Sequence, residues 1–371
     1  MSGEILITGG GGFIGSHVAR ELLEHGWTVR ALDNLTEQVH ERGERPSYLD
    51  DEVELIVGDV RDPRALADAL DGVDAVAHFA ARVGVGQSMY EIADYTSVNC
   101  SGTGVLLQAL LEHPVQRLLV ASSMSVYGEG LYATEDGRRA AACERSREQL
   151  QRGDWEPVGP AGESLRPLAT PETKPPSLSS IYALGKFDQE RMCLLFGRAY
   201  DVPTTALRFF NVYGPDQALS NPYTGVLAIF AGRLLNGRSP LIFEDGNQRR
   251  DFVSVHDVAR ACRLALERCD RSEQVLNVGS GESVSVVEIA RRLAHVMGRS
   301  AIEAEVTGKY RVGDIRHCFA DVEGAARAIG YRPRVRLEQG MAELAQWLEG
   351  RIALDRGDAA ASELAARGLT V

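Results

Sequence analysis

Tyr182 and Lys186 stand four residues apart in the run S-I-Y-A-L-G-K-F. On a helix that spacing puts both side chains on one face. An ammonium held beside a phenol favours the phenolate and lowers the phenol's pKa. The pair is a candidate base for removing a hydroxyl proton while hydride leaves for a nicotinamide. Lys+Arg total 40, yet only Lys174, Lys186 and Lys309 are lysines. A chain that nearly always uses arginine keeps a lysine where a compact ammonium is needed. We read Lys186 in that way and Lys174 and Lys309 as incidental.

A second constellation lies at residues 8–15, T-G-G-G-G-F-I-G. Gly9, Gly12 and Gly15 follow an apolar run (E-I-L-I-T) that reads as a strand. They open a helix over 14–25, with Ile14, Val18, Leu22 and Leu23 on one face. Glycines in that context allow a tight turn and close backbone approach to a pyrophosphate at the helix N-terminus. The expected ligand is a dinucleotide. Asp33 ends the next predicted strand (27–33), where a carboxylate accepts from ribose hydroxyls and repels a 2′-phosphate, so NAD is expected over NADP. Arg30 lies inside that strand and is a poor phosphate clamp. Asp59 and Val60 can meet the adenine; the other reading of Asp59 is a cap for the helix starting at Pro63. Phe79, Ala80 and Ala81 end a further strand, with small residues that let backbone approach the cofactor. His78 beside them reads as a packed structural histidine. Asn99 reads either as a cofactor contact or as an amide satisfying its own helix.

The elements that must position these residues alternate in type. Strands are expected at 53–57, 75–79, 118–122 and 204–209, and helices at 63–70 and 96–111. Alternation with short connections predicts an α/β fold, a Rossmann-type doubly wound parallel sheet. A smaller, mixed α/β C-terminal substrate-binding region follows, with a loop at 211–224, helices at 226–235, after 255 and at 286–297, and a strand at 241–243. The expected division is 1–211 for the cofactor domain, 212–348 for the second region and 349–371 for a tail. The first domain is expected to take back a strand and helix near 241–280. Residues 129–178 form a polar, proline-rich insert that reads either as a surface excursion or as a lid or dimer element. The alanine-rich tail reads as a frayed or disordered helix with no assigned role.

Length and composition fit this reading. The 371 residues suit one large α/β domain with a smaller companion. A formal net charge of −12 argues against nucleic acid as a partner. No apolar run is long enough to span a bilayer, and the N-terminus shows no targeting signal. Six cysteines without C-x-x-C spacing argue against zinc and against a disulfide framework, and read as reduced cytosolic thiols. The expected location is therefore cytoplasmic, and no metal is expected.

Four runs coincide: T-G-G-G-G-F-I-G, H-F-A-A, S-S-M-S-V-Y-G (122–128) and Y-A-L-G-K. Together they resemble the extended short-chain dehydrogenase/reductase family, in its nucleotide-sugar-modifying branch. L-R-F-F-N-V-Y-G (207–214), R-R-D-F-V-S-V-H-D-V-A (249–259), L-N-V-G-S-G-E (276–282) and Y-R-V-G-D-I-R-H (310–317) extend the resemblance over roughly residues 3–348. It implies NAD as cofactor and a catalytic trio of Ser123, Tyr182 and Lys186. Ser123 would hydrogen-bond the reacting hydroxyl, and Lys186 would also hold the nicotinamide ribose. The implied cofactor set is Gly9, Gly12, Phe13, Ile14, Gly15, Asp33, Asn34, Asp59, Val60, Phe79, Ala80, Ala81, Asn99, Ser122, Tyr182, Lys186 and Phe209. The implied substrate set is Ser123, Tyr182, Asn211, Val226, Arg250, Arg311 and Asp314. Arg250 and Arg311 would hold a diphosphate, Asp314 the nucleotide ribose and Asn211 a phosphate; arginine suits phosphate oxygens. Arg316 and His317 stand nearby. A homodimer is expected by the same resemblance, through helices around 106–111 and 192–195.

Within that family, 4,6-dehydratases carry Asp-Glu directly after the serine or threonine, and UDP-glucuronate decarboxylases usually carry a glutamate at the second of these positions. Here the positions are Met124 and Ser125. The remaining machinery suits inversion at C4 of a nucleotide sugar through a 4-keto sugar, with one retained NAD. The segment N-P-Y-T-G-V-L-A-I-F (221–230) resembles bacterial chains assigned as dTDP-L-rhamnose 4-epimerases. A dTDP-6-deoxyhexose is therefore the first substrate expectation and UDP-glucose/galactose the second. A 4-dehydrogenase or 4-ketoreductase is the alternative activity.

Overall fold

The computed structural model describes residues 3–40, 43–218, 225–269, 271, 273–311, 313–349 and 357–370, with backbone alone at 357–361. Part of the 211–224 loop, the first four residues of the 221–230 segment, and residues 350–356 and 371 of the tail lie outside these.

Seven parallel strands form the central sheet. Their spatial order is Gln274–Val278, Thr204–Phe209, Arg117–Ser123, Ala75–His78, Glu4–Thr8, Thr28–Asp33 and Glu54–Val57. Every pairing is parallel, with Ile5 opposite both Val29 and Ala75 and Leu119 opposite Thr205. This is the doubly wound fold that the alternating pattern predicts. Its central strands are apolar throughout because helices cover both faces. The period of two divides each strand between two cores. Ile5, Ile7, Val29, Ala31, Leu207 and Leu276 point to one face, against helices Phe13–Leu23 and Val255–Arg268. Leu6, Leu32, Val76, Leu118 and Val120 point to the other, against Pro63–Leu70, Gly102–Glu112 and Ile181–Tyr200. Fully burying one such aliphatic side chain stabilises the fold by roughly 1.5–3 kcal/mol.

Segments between the sheet's last two strands and after the last one build a second core. Helices Val226–Leu235, Val286–Val296 and Leu337–Leu348 pack Leu227, Phe230, Leu293, Met341 and Leu344 together. Small sheets join this region: Arg249–Arg250 pairs with both Val284–Ser285 and His317–Cys318. Helix Val255–Arg268 and strand Gln274–Val278 return from it to the main sheet.

Three elements differ from the sequence expectation. The helix expected over 96–111 begins with a π-helical stretch, Thr96–Ser101, before Gly102–Glu112. The insert is built around a three-stranded antiparallel sheet, Leu131–Ala133, Arg139–Ala140 and Arg166–Leu168. Its last residues are stitched to the segment after Ser123: Ser177 N–H donates to Val126 O at 3.0 Å, and Lys174 Nζ donates to the Tyr127 carbonyl. Lys174 is thus engaged in the fold and not incidental. The tail forms a helix, Gly357–Ala366, and buries Leu364 to 5% exposure. Among the described residues no helix is long and apolar enough to cross a membrane. None of their His, Cys, Asp and Glu side chains group in threes that could hold a metal ion.

Candidate active site

The C-terminal ends of the parallel strands open onto a cavity of about 500 Å³. Its floor is the glycine turn. Gly9 has φ +72°, and a Cβ there would stand 2.8 Å from the Ala80 nitrogen. A Cβ on Gly15 would stand 2.4 Å from the Gly9 carbonyl oxygen, so the helix can start this close to the strand only with glycine. Gly12 is the N-cap of helix Phe13–Leu23 and offers no side-chain cap. The first N–H groups of that helix are left for an anion such as a pyrophosphate. Bare backbone at the mouth of a long helix fits the dinucleotide that the sequence predicts.

Asp33 and Asp59 line the same cavity. Asp33 holds the turn itself, accepting Gly11 N–H at 3.0 Å and Leu35 N–H at 2.9 Å. Asp59 accepts from Asn34 Nδ2 at 3.1 Å and pairs with Arg61 at 2.7 Å. The Arg61 hydrogen bond holds its carboxyl down at about 2. It is not a helix cap: Asp62 caps the helix beginning at Pro63, accepting from Arg64 N–H. Phe13, Ile14, Val60, Phe79, Ala80, Ala81, Ser122 and Phe209 also line the cavity. Asn99 is not among the lining residues. It is buried, and its carboxamide is taken by the backbone of Arg82, accepting from N–H at 2.7 Å and donating to the carbonyl at 3.1 Å. The sequence reading missed Thr36, His40, Arg61, Arg82, Val83, Phe210 and Gln217, which line the cavity from loops and from beyond the sheet.

Ser123, Tyr182 and Lys186 all line the cavity. Ser123 ends its strand and caps the following turn, accepting from Ser125 N–H. Tyr182 opens helix Ile181–Tyr200, which Ser180 caps through Ala183 N–H; Tyr182 N–H donates to Ser88 Oγ at 3.0 Å. Burial pushes the Tyr182 hydroxyl above its ordinary pKa, and a hydrogen bond with Ser123 pulls it back. The sequence reading assigned that lowering to Lys186. Instead, Lys186 Nζ donates to Gln189 Oε1 at 2.7 Å, and burial brings its own pKa down to about 8. Gln189, one helical turn on, was not foreseen. Its Nε2 donates to Ala80 O at 3.2 Å and Thr103 Oγ1 at 3.0 Å, and meets His78 Nε2 at 3.1 Å. His78 is fully buried and also bonded to Thr8 Oγ1 at 2.7 Å; burial lowers it to about 3, so it is a neutral packed ring at pH 7.

Beside Ser123, the next two side chains are an apolar thioether and a hydroxyl. Met124 is buried, and Ser125 Oγ lies 2.7 Å from Ser123 Oγ. Neither can act as a carboxylate base.

The remaining sequence-predicted residues lie outside this cavity lining. Asn211 Nδ2 donates to Asp251 O at 2.9 Å and contacts Met124 Sδ at 3.4 Å. Val226 opens helix Val226–Leu235. Arg250 donates to the carbonyls of Arg316 and Ile315 and stands 3.6 Å from Asp314. Arg311 lies over the Phe243 ring, 4.4 Å from its centroid. Gly313, between Arg311 and Asp314, approaches the Ser179 carbonyl just ahead of the Tyr182 helix. The segment that carries Arg311 and Asp314 therefore passes close to the start of helix Ile181–Tyr200, and Arg250 reaches it through Asp314. Arg316 is buried in ion pairs with Glu244, Asp245 and Glu156, and His317 pairs with Glu156.

The profile of the NAD dependent epimerase/dehydratase family matches residues 5–148 and 156–279. The chain belongs to this family. NAD is accordingly its cofactor, and its chemistry is that of the nucleotide-sugar epimerases and dehydratases. A dTDP-L-rhamnose 4-epimerase from Burkholderia thailandensis is 36% identical over 349 residues, 93% of this chain and 94% of that one. A putative UDP-glucose 4-epimerase from Methanocaldococcus jannaschii is 30% identical, over 93% of this chain and 98% of its own. Among solved structures, the UDP-glucose 4-epimerase of Thermotoga maritima with UDP-glucose superposes with a TM-score of 0.75 at 29% identity, covering 93% of this chain and 98% of that one. The Thermus thermophilus UDP-glucose 4-epimerase complex with NAD gives 0.73 at 30%, covering 94% and 99%.

Proposed function

We propose that the protein inverts C4 of a nucleotide-diphosphate sugar, with a dTDP-6-deoxyhexose such as dTDP-L-rhamnose as substrate. The observation that carries the reading is the side-chain set around Tyr182: Ser123 bonded to it, with Met124 and Ser125 where a dehydratase needs its carboxyls. NAD, held along the glycine turn, supplies reversible hydride transfer at the sugar's C4. Tyr182 takes the C4 hydroxyl proton, Ser123 orients that hydroxyl, and Tyr182 returns the proton once the sugar presents its other face. Lys186, which lines the same cavity, holds the nicotinamide ribose in this reading. Arg250 and Arg311 anchor the diphosphate so that only the sugar turns, and Asp314 and Asn211 contact the nucleotide ribose and a phosphate. The dTDP preference rests on the Burkholderia relative, and UDP-glucose/galactose is the second candidate. The working unit is a homodimer, supported by exposed leucines on helices Gly102–Glu112 and Ile181–Tyr200.

Turnover in D2O tests the reaction type. The reading predicts C4-inverted product with no carbon-bound deuterium, because the same hydrogen leaves and returns. Deuterium at C5 would mean deprotonation beside the 4-ketone, and loss of the C6 oxygen from a UDP-hexose would mean elimination; either result would overturn it.

A further inference from the structure

Residues 362–370 return to the neighbourhood of Gly86, Tyr90 and Arg311. Leu364, buried at 5% exposure, rests on the backbone at Gly86; a Cβ placed there would stand 3.1 Å from Leu364 Cδ2. The Arg367 guanidinium lies 4.3 Å from the centroid of the Tyr90 ring. Gly86 and Tyr90 flank Ser88, the residue that accepts the backbone N–H of Tyr182. One end of this segment thus sits on the support of the catalytic helix.

The other end reaches Arg311. Thr370 and Arg311 pair in an antiparallel bridge. Residues directly opposite in such a bridge project to the same face, with Cβ atoms about 5 Å apart. Arg311 Nε and Thr370 Oγ1 are both buried and have no hydrogen-bond partner within the described protein. Two neighbouring buried polar atoms left unpaired are unfavourable and call for an outside partner. A donor nitrogen beside a hydroxyl suits a ligand that presents oxygens, as a phosphate–ribose unit does.

We propose that residues 362–370 form a wall of the nucleotide-sugar site, with Thr370 adding a hydroxyl contact beside Arg311 and bound nucleotide holding the segment down. This rests on the preceding reading of Arg311 as a diphosphate ligand. The wall spans both halves of the molecule, so it ties substrate occupancy to the position of the second region.

The test compares the NAD-loaded full-length protein, T370V and a chain ending at residue 356. Calorimetric titration with dTDP and UDP reads nucleotide affinity, and trypsin reads cleavage after Arg367. The expected result is binding weakened by about tenfold or more on truncation and several-fold in T370V, with KM raised, kcat within about twofold and NAD content unchanged. Nucleotide should slow cleavage after Arg367 in the full chain. If the full-length protein binds nucleotide but T370V binds equally well and cleavage is unaffected, the wall is refuted while the function stands. If the full-length protein binds neither nucleotide, the function itself fails and the wall with it. Should truncation unfold the protein, T370V and the protection assay decide.

Discussion

At the scale of single residues, the proposed chemistry rests on Tyr182, Ser123 and Lys186, and Gln189 holds the Lys186 ammonium. Replacing Tyr182 by Phe removes the hydroxyl to which we assign the C4 proton while keeping the ring's packing. The expected loss is about 10²–10⁴-fold in kcat, measured by steady-state turnover, with melting temperature and NAD content preserved. Gln189→Leu leaves the buried ammonium of Lys186 without its acceptor. We expect a further fall of the Lys186 pKa from about 8 and a loss of about 1–3 kcal/mol in stability. Denaturant melts read the stability, and the pH dependence of turnover reads the pKa; an unshifted profile with unchanged stability would show that Gln189 is a bystander. The glycine turn and the helix that brings Tyr182 and Lys186 to the cavity were legible because each rests on local spacing. Gln189 was not legible, because its meaning depends on His78, Ala80 and Thr103, which lie far off in sequence.

At the scale of elements, the insert is locked to the second region through Arg316. This side chain is 1% exposed and reaches Glu244, itself 2% exposed, together with Asp245 and Glu156. Removing one partner of a buried ion pair leaves a charge uncompensated, so Arg316→Met should cost about 3 kcal/mol, read by chemical denaturation. Acid should release the insert as well. Burial tends to raise Glu156, but hydrogen bonds from His317 and Arg316 outweigh it and hold the carboxyl at about 2. Its folded pKa lies below the ordinary value of about 4.3, so its contribution is complete above that pH and is lost as pH falls towards about 2. Glu156→Gln should flatten the melting temperature across that window, while an unchanged acid slope would assign the loss to other carboxyls. The sheet strands and most helices were legible from alternation and apolar runs. The insert's strands and the π-helical opening at Thr96–Ser101 were not. Two- and three-residue strands carry too little periodicity, and the irregular turn follows from packing against helix Ile181–Tyr200.

At the scale of the whole molecule, one apolar face lacks a partner among the described residues. Leu184 and Leu195 are eleven residues apart, three turns along one face of helix Ile181–Tyr200, and are 42% and 44% exposed. Leu111, at the end of the neighbouring helix Gly102–Glu112, is 51% exposed. The segments 106–111 and 192–195 therefore divide: Leu106, Leu110, Cys193 and Leu194 belong to the core, and Leu111 and Leu195 face outwards. Light scattering should find a dimer, and Leu195→Asp should yield monomers; an unaltered dimer would place the interface elsewhere.

The central claim is C4 inversion by a single retained NAD. The most direct test gives purified protein dTDP-L-rhamnose, other dTDP-hexoses and UDP-hexoses with no added cofactor, and follows the H4 couplings by proton NMR. The account predicts an equilibrium mixture of C4 epimers for one of these sugars. Turnover only when NAD(P)⁺ or NAD(P)H is supplied, consumed one for one with sugar, would contradict it and make the protein a dehydrogenase or reductase.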